Sequence, residues 1–215
     1  MVDDDSADTM SLTSTFVLDL WTDNIVAEYT GRQNFADDNF EIVRMLCLFY
    51  NGKCLYENNK KGLYAYFSRM NCLYLLADAP EYLRDKDLIK GSPLGNKSKG
   101  VNAVASINNY ANNLIRDWLL IPKPILVKEG DEIVESSIPN LYNIKSRALL
   151  KELSLYNPDI NVDRIRALGM VMLYREEKMI LYNGNPKNYQ DKERDSNYLG
   201  NDPFFTNNYD NRYRQ

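Results

Sequence analysis

The order of apolar patterns along this chain predicts a mixed α/β domain with a core of its own. Three observations carry that prediction. Two short β-branched runs come first, and helix and strand signals then alternate. Each helical repeat is bounded by turn residues. The composition, 44% hydrophobic and 26% charged over 215 residues, is that of a globular chain long enough to bury a sizeable core.

The elements follow in order. "TSTFVLDLW" (13–21) is β-branched and aromatic around Val17, Thr22-Asp23-Asn24 reads as a turn, and "IVAEYTG" follows, which makes a hairpin. In "FADDNFEIVRMLCLFY" (35–50) Phe40, Val43, Leu46, Cys47 and Tyr50 recur at helical spacing. Asp37 and Asp38 suit the first turn of that helix, and Asn51-Gly52 its end. "KCLYE" (53–57) then predicts a short buried strand. Leu63, Tyr66, Phe67 and Met70 stand at i, i+3, i+4 and i+7, a second helix, and "CLYLLA" (72–77) is the next strand.

The polar segment "PEYLRDKDLIKGSPLGNKSKGVN" (80–102) reads as an exposed loop or small hairpin. A helix with Ile107, Ala111, Leu114 and Trp118 on one face follows and ends before Pro122. Residues 125–134 have a weak strand-turn-strand pattern around Glu129-Gly130-Asp131. Two more helices are predicted, over 144–156, stopped by Asn157-Pro158, and over 162–180. The last segment, 183–215, has no periodicity and is rich in Asn, Asp and Tyr; it reads as a flexible or docking tail to a domain spanning 1–182.

Composition narrows the chemistry. Histidine is absent, which removes imidazole bases, Ser-His and Cys-His pairs and most zinc enzyme sites. The three cysteines, Cys47, Cys54 and Cys72, lie among apolar residues and read as reduced core thiols of an intracellular protein. No apolar run approaches the roughly 20 residues of a membrane span, so no membrane role is expected. The start, "MVDDDSADT", is acidic where a secretory signal is basic and then apolar. A net charge of -4 argues against a wholly basic nucleic-acid footprint and leaves room for local basic patches.

Any catalysis therefore falls to carboxylates. In open α/β sheets ligands collect beyond the carboxyl ends of strands, and Glu57 stands at such an end. It reads two ways, as a solvated strand tip or as half of a metal site. Asp163, in "NPDINVDRIRALGMVMLY", falls in the first turn of a helix whose buried stripe is Ile165, Leu168, Gly169 and Met172. It is either a helix N-terminal acid favoured by the dipole or a residue aimed at a sheet-end cleft. Asp3, Asp4, Asp5 and Asp8 form a third acidic group.

The segments "VAEYTGR", "CLYENNKKGLYAYF", "SKGVNA" and "NIKSRALLKELSLYNPDINVDRIRALGM", in that order, resemble the C-terminal nuclease domain of the large terminase subunit of tailed bacteriophages. The resemblance runs from about residue 14 to about 180 and rests most on YENN and on D-R-x-x-A-L-G-M. It implies a ribonuclease H-like mixed sheet flanked by helices, and an endonuclease cutting double-stranded DNA during viral genome packaging. It gives Glu57 the role of the acid on the fourth strand and Asp163 that of the acid on a late helix, with Mg²⁺ or Mn²⁺ in a two-metal site. The implied partners are DNA, the terminase ATPase domain, the portal and the small terminase subunit, in the cytoplasm of an infected host. Hard cations on carboxylates suit this chemistry, and no histidine is needed.

The departure is at the start. The family places a first catalytic Asp on a strand ahead of the hairpin, and here nothing apolar precedes it. Either the chain begins after that strand, which leaves it weakly active or inactive, or one of Asp3, Asp4, Asp5 and Asp8 supplies the ligand. Asp19 is a weaker substitute. No G-x-x-x-x-G-K-[ST] phosphate loop is present, so no nucleotide motor is expected. Lys60, Lys61, Lys97 and Lys99 are the candidate phosphate contacts, of the sequence-independent kind; each is otherwise a solvated loop lysine. Two rivals stand beside the nuclease: a non-catalytic packaging module docking through "DPFFTNNYDNRYRQ", and another ribonuclease H-like nuclease such as a junction resolvase.

Overall fold

The last residue of the first strand closes the first chain reversal. In the computed structural model, which describes residues 12–89, 98–129, 132–157 and 162–184, strand β1 (Thr13–Asp19) pairs antiparallel with β2 (Asn24–Gly31). The Asp19 carboxylate accepts the backbone N–H groups of Trp21 and Thr22 and the Thr22 hydroxyl. These bonds hold its carboxyl below the usual range, the Thr22 hydroxyl first. Asp23 then takes a left-handed backbone at φ 56°, which Asp tolerates better than most residues.

Helix α1 (Ala36–Phe49) buries Phe40, Val43 and Cys47. It ends as Asn51 turns left-handed, at φ 49°, and the Gly52 N–H reaches the Cys47 carbonyl at 2.9 Å. Helix α2 (Gly62–Arg69) packs Leu63, Tyr66 and Phe67 against the same core. Met70, expected on that stripe, is exposed just past the helix end. Polar contacts also join the two helices: the Tyr66 hydroxyl donates to Glu41 at 2.7 Å, Arg44 clasps the same carboxylate, and Arg69 pairs with Asp37.

The two expected inner strands are shorter than the sequence implies. "CLYLLA" opens with a 3-10 turn, Leu73–Leu75, and is extended only from Leu76. "KCLYE" forms no regular strand; it makes one parallel bridge from Cys54 to Leu76 and another from Glu57 to Val101. The cause is a third segment, 98–101, which takes over partway along. Cys54 bonds Leu75 and Ala77, then Tyr56 and Asn58 bond Val101, while 98–100 runs antiparallel to 77–79 through Asp78 and Lys99. Gly100 makes the wedge possible. Its φ is 72°, and a Cβ there would stand 2.7 Å from both the Tyr56 carbonyl and its ring.

Beyond this junction, α3 (Tyr82–Asp85) is a single turn inside the segment read as a loop, with Tyr82 and Leu83 buried. Helix α4 (Ala105–Leu120) buries Ile107, Ala111, Ile115 and Trp118, and the expected Leu114 sits half-buried beside them. Among the described residues, strands β3 (Pro122–Glu129) and β4 (Glu132–Pro139) pair only with each other. Ser146 caps α5 (Arg147–Ser154) by accepting the Leu149 N–H. Helix α6 (Asp163–Gly184) crosses α4 at Gly169, where an added Cβ would lie 3.1 Å from that of Ala111.

The result is mixed α/β with two small antiparallel sheets. The chain divides into two compact units, 1–175 and 176–215; the described part of the second is the end of α6, and the docking segment 202–215 lies outside the described residues. No helix among the described residues is long and apolar enough to cross a membrane.

Candidate functional site

The tip "YENN" divides its residues between structure and one free acid. Tyr56 is 2% exposed, and its hydroxyl donates to the Asn58 side chain at 3.2 Å. Burial pushes its phenol well above the usual value. The Asn58 side-chain oxygen also takes the Lys61 ammonium at 2.9 Å, and its backbone N–H donates to Val101. Asn59 makes a reciprocal pair with Ala103, accepting its N–H at 2.7 Å and donating to its carbonyl at 3.4 Å. Tyr56, Asn58, Asn59 and Lys61 are thus committed to holding the tip. Glu57 itself is half-buried and its carboxylate has no partner among the described residues.

Asp163 is held differently. It opens α6, and its carboxylate accepts the backbone N–H of Leu12 at 2.7 Å, where the chain enters β1. Thr13, the next residue, is 2% exposed, and its hydroxyl is unpartnered among the described residues. Arg164 turns the other way, donating to Glu28 of β2 at 2.9 Å and Glu152 of α5 at 3.4 Å. Glu152 also accepts the Ile165 N–H at 3.0 Å, which serves one of the open donors at the helix start. Glu28, Glu152 and Arg164 had no signal in the sequence, because they lie far apart in the chain. The first turn of α6 is therefore fixed to three elements, and Asp163 is part of that anchorage.

Among the described residues, no group of three or more His, Cys, Asp or Glu side chains stands close enough to hold a metal ion. Asp3, Asp4, Asp5 and Asp8 lie outside the described residues. Asp19 serves its own turn, as shown above.

The lysines separate in the same way. Lys60 is exposed at the tip, and Lys61 beside it bonds Asn58. Lys97 lies outside the described residues. Lys99 is bound inward, with its ammonium 2.9 Å from the Leu76 carbonyl and 3.0 Å from the Asp78 carboxylate. Two of its three N–H donors are thereby engaged, which leaves one for a phosphate.

The cysteines meet in the first core. Cys47 and Cys72 are buried, Cys54 is half-buried, and all three are free thiols. The neighbouring Cys54 thiol holds that of Cys47 below the usual value, while Cys47 and burial push Cys54 above it.

Compared with protein-family models, with curated proteins and with solved structures, the chain matches none of them.

Proposed function

We propose that the chain is a metal-dependent endonuclease domain that cuts double-stranded viral DNA during genome packaging, built on a ribonuclease H-like plan. The observation that carries this reading is the half-buried residue Glu57, its carboxylate without a partner among the described residues, on a tip where Tyr56, Asn58 and Asn59 are all engaged. A carboxylate at the end of an extended segment, with no cation bound to it inside the fold, is open to a metal ion. The parallel bridges at Cys54 and Glu57 and the flanking helices are compatible with that plan. The likeness of YENN and D-R-x-x-A-L-G-M to the terminase nuclease supplies the substrate and the implied partners: the ATPase domain, portal and small subunit.

In this reading Glu57 and Asp163 are the acids that hold Mg²⁺ or Mn²⁺, and Lys60 and Lys61 meet phosphates. The described residues alone do not complete such a centre, since no group of three acids stands together among them. Asp3, Asp4, Asp5 and Asp8 are candidates for a further ligand. The same observation favours one second reading, a module of this fold that docks to packaging proteins without cutting.

The test is nicking of supercoiled plasmid with Mn²⁺ by the wild-type chain, Glu57→Ala and Asp163→Ala. The nuclease reading expects wild-type nicking and a loss of about 100-fold or more in each variant. Nicking that survives both substitutions sinks the site. A folded wild type that binds DNA and never nicks supports the docking module. Preference for branched DNA or for an RNA/DNA hybrid over plain duplex points to a different ribonuclease H-like nuclease.

A further inference from the structure

Among the described residues the β3–β4 ribbon has no third strand, so each strand carries an edge of backbone groups that none of them pairs, the arrangement that accepts another chain. Its register sets Pro122 against Pro139, Pro124 against Ser137, Leu126 against Glu135 and Lys128 against Ile133. A proline in a ladder sits where its missing N–H points away from the partner strand. All three prolines of the ribbon fall on this one parity, so Leu126, Lys128, Ile133, Glu135 and Ser137 also turn their backbone groups outward. The β3 edge therefore lacks donors at Pro122 and Pro124. The β4 edge keeps its own from Ile133 to Ser137. On the face of the same parity, Leu126 and Ile133 are each 71% exposed and stand as diagonal neighbours.

Charge selects the occupant. Between Leu126 and Ser137 the sequence has one basic residue, Lys128, against Glu129, Asp131, Glu132 and Glu135. Lys123, at the base, is engaged by Asp23 and the Thr22 carbonyl. Such an arm repels a phosphate backbone and attracts cations.

We infer that the β4 edge takes up an extended, basic segment of a partner protein by strand addition. Its main chain pairs with Ile133, Glu135 and Ser137, a lysine or arginine meets Glu135, and an apolar side chain covers Ile133. This docking edge is independent of the nuclease reading.

The probe is a labelled peptide repeating Val-Thr-Lys-Thr, which sets valine and lysine two apart on one face, matched in length to the eight residues of β4, with a Val-Thr-Glu-Thr peptide as its control. Fluorescence anisotropy on the full chain is expected to show binding of the first only. Glu135→Pro removes an outward donor that the ribbon does not use, so the ribbon stays folded while binding weakens by about tenfold or more. Glu135→Lys weakens it through charge alone, and amide exchange slows at Ile133, Glu135 and Ser137 when the peptide is bound. Equal binding by both variants, or protection elsewhere, overturns the proposal. So does a concentration-dependent dimer that protects this edge without peptide, which makes a second copy the occupant. Protection of the ribbon by duplex DNA overturns it as well.

Discussion

A Cβ built on Gly169 of α6 lies 3.1 Å from the Cβ of Ala111 on α4, so the two helices touch backbone to side chain at that point. Glycine in a helix interior costs about 1 kcal/mol relative to alanine, and close approach is what it allows. Gly169→Ala is expected to be near neutral, because the propensity gain offsets a tight contact. Gly169→Leu overfills the crossing and is expected to destabilise by about 1–3 kcal/mol. Urea unfolding of both variants measures the difference.

Gly100 sets the wedge that ends the "KCLYE" pairing. Its left-handed φ and the 2.7 Å approach to the Tyr56 carbonyl leave no room for a side chain. Gly100→Ala is expected to cost about 1–3 kcal/mol and to loosen the tip that carries Glu57. Faster amide exchange at Asn58 and Val101, whose N–H groups bond across this junction, is the readout.

Asn59 bonds Ala103 in both directions and so fixes the turn after Glu57. Asn59→Ala is expected to cost about 1–2 kcal/mol in thermal or urea unfolding. In the nuclease reading nicking falls as well, since the acid loses its fixed position.

Acid and alkali both act on the α1–α2 contact. Glu41 is held down to about 2 from 4.5, chiefly by its bond to Arg44 and then by the Tyr66 hydroxyl. A depressed carboxyl contributes stability that is present above about 4.5 and is lost as pH falls toward about 2. Its side chain is 33% exposed, so the effect is modest. Tyr66 is pushed up to about 12 from 10, by burial first and by Glu41 second, so its contribution is present below 10 and fades as pH rises toward 12. Glu41→Gln is expected to flatten the acid limb of a stability–pH curve between 4.5 and 2.

How far the sequence reaches depends on range. Local periodicity located β1, β2, α1, α2, α4 and α6, because each has its own apolar stripe and turn residues within a few positions. It missed the turn at Tyr82 and Leu83, whose two apolar residues are embedded in charges. It overextended 53–57 and 72–77, because apolar runs do not say whether a third segment interrupts the pairing. At the site, the sequence singled out Glu57 and Asp163 as acids at element ends. Whether a charge is free or engaged is decided across the fold, so neither the capture of Lys99 by Asp78 nor the Glu28–Arg164–Glu152 cluster was legible.

The most direct measurement is the initial rate of plasmid nicking in Mn²⁺ by the wild-type chain and by Glu57→Gln, with unfolding curves taken on the same samples. The substitution removes charge and keeps shape, and Glu57 has no partner among the described residues to lose. A nicking rate reduced by about 100-fold with unchanged or improved stability is the predicted result. Equal nicking by the two proteins contradicts the assignment of Glu57 as the functional acid.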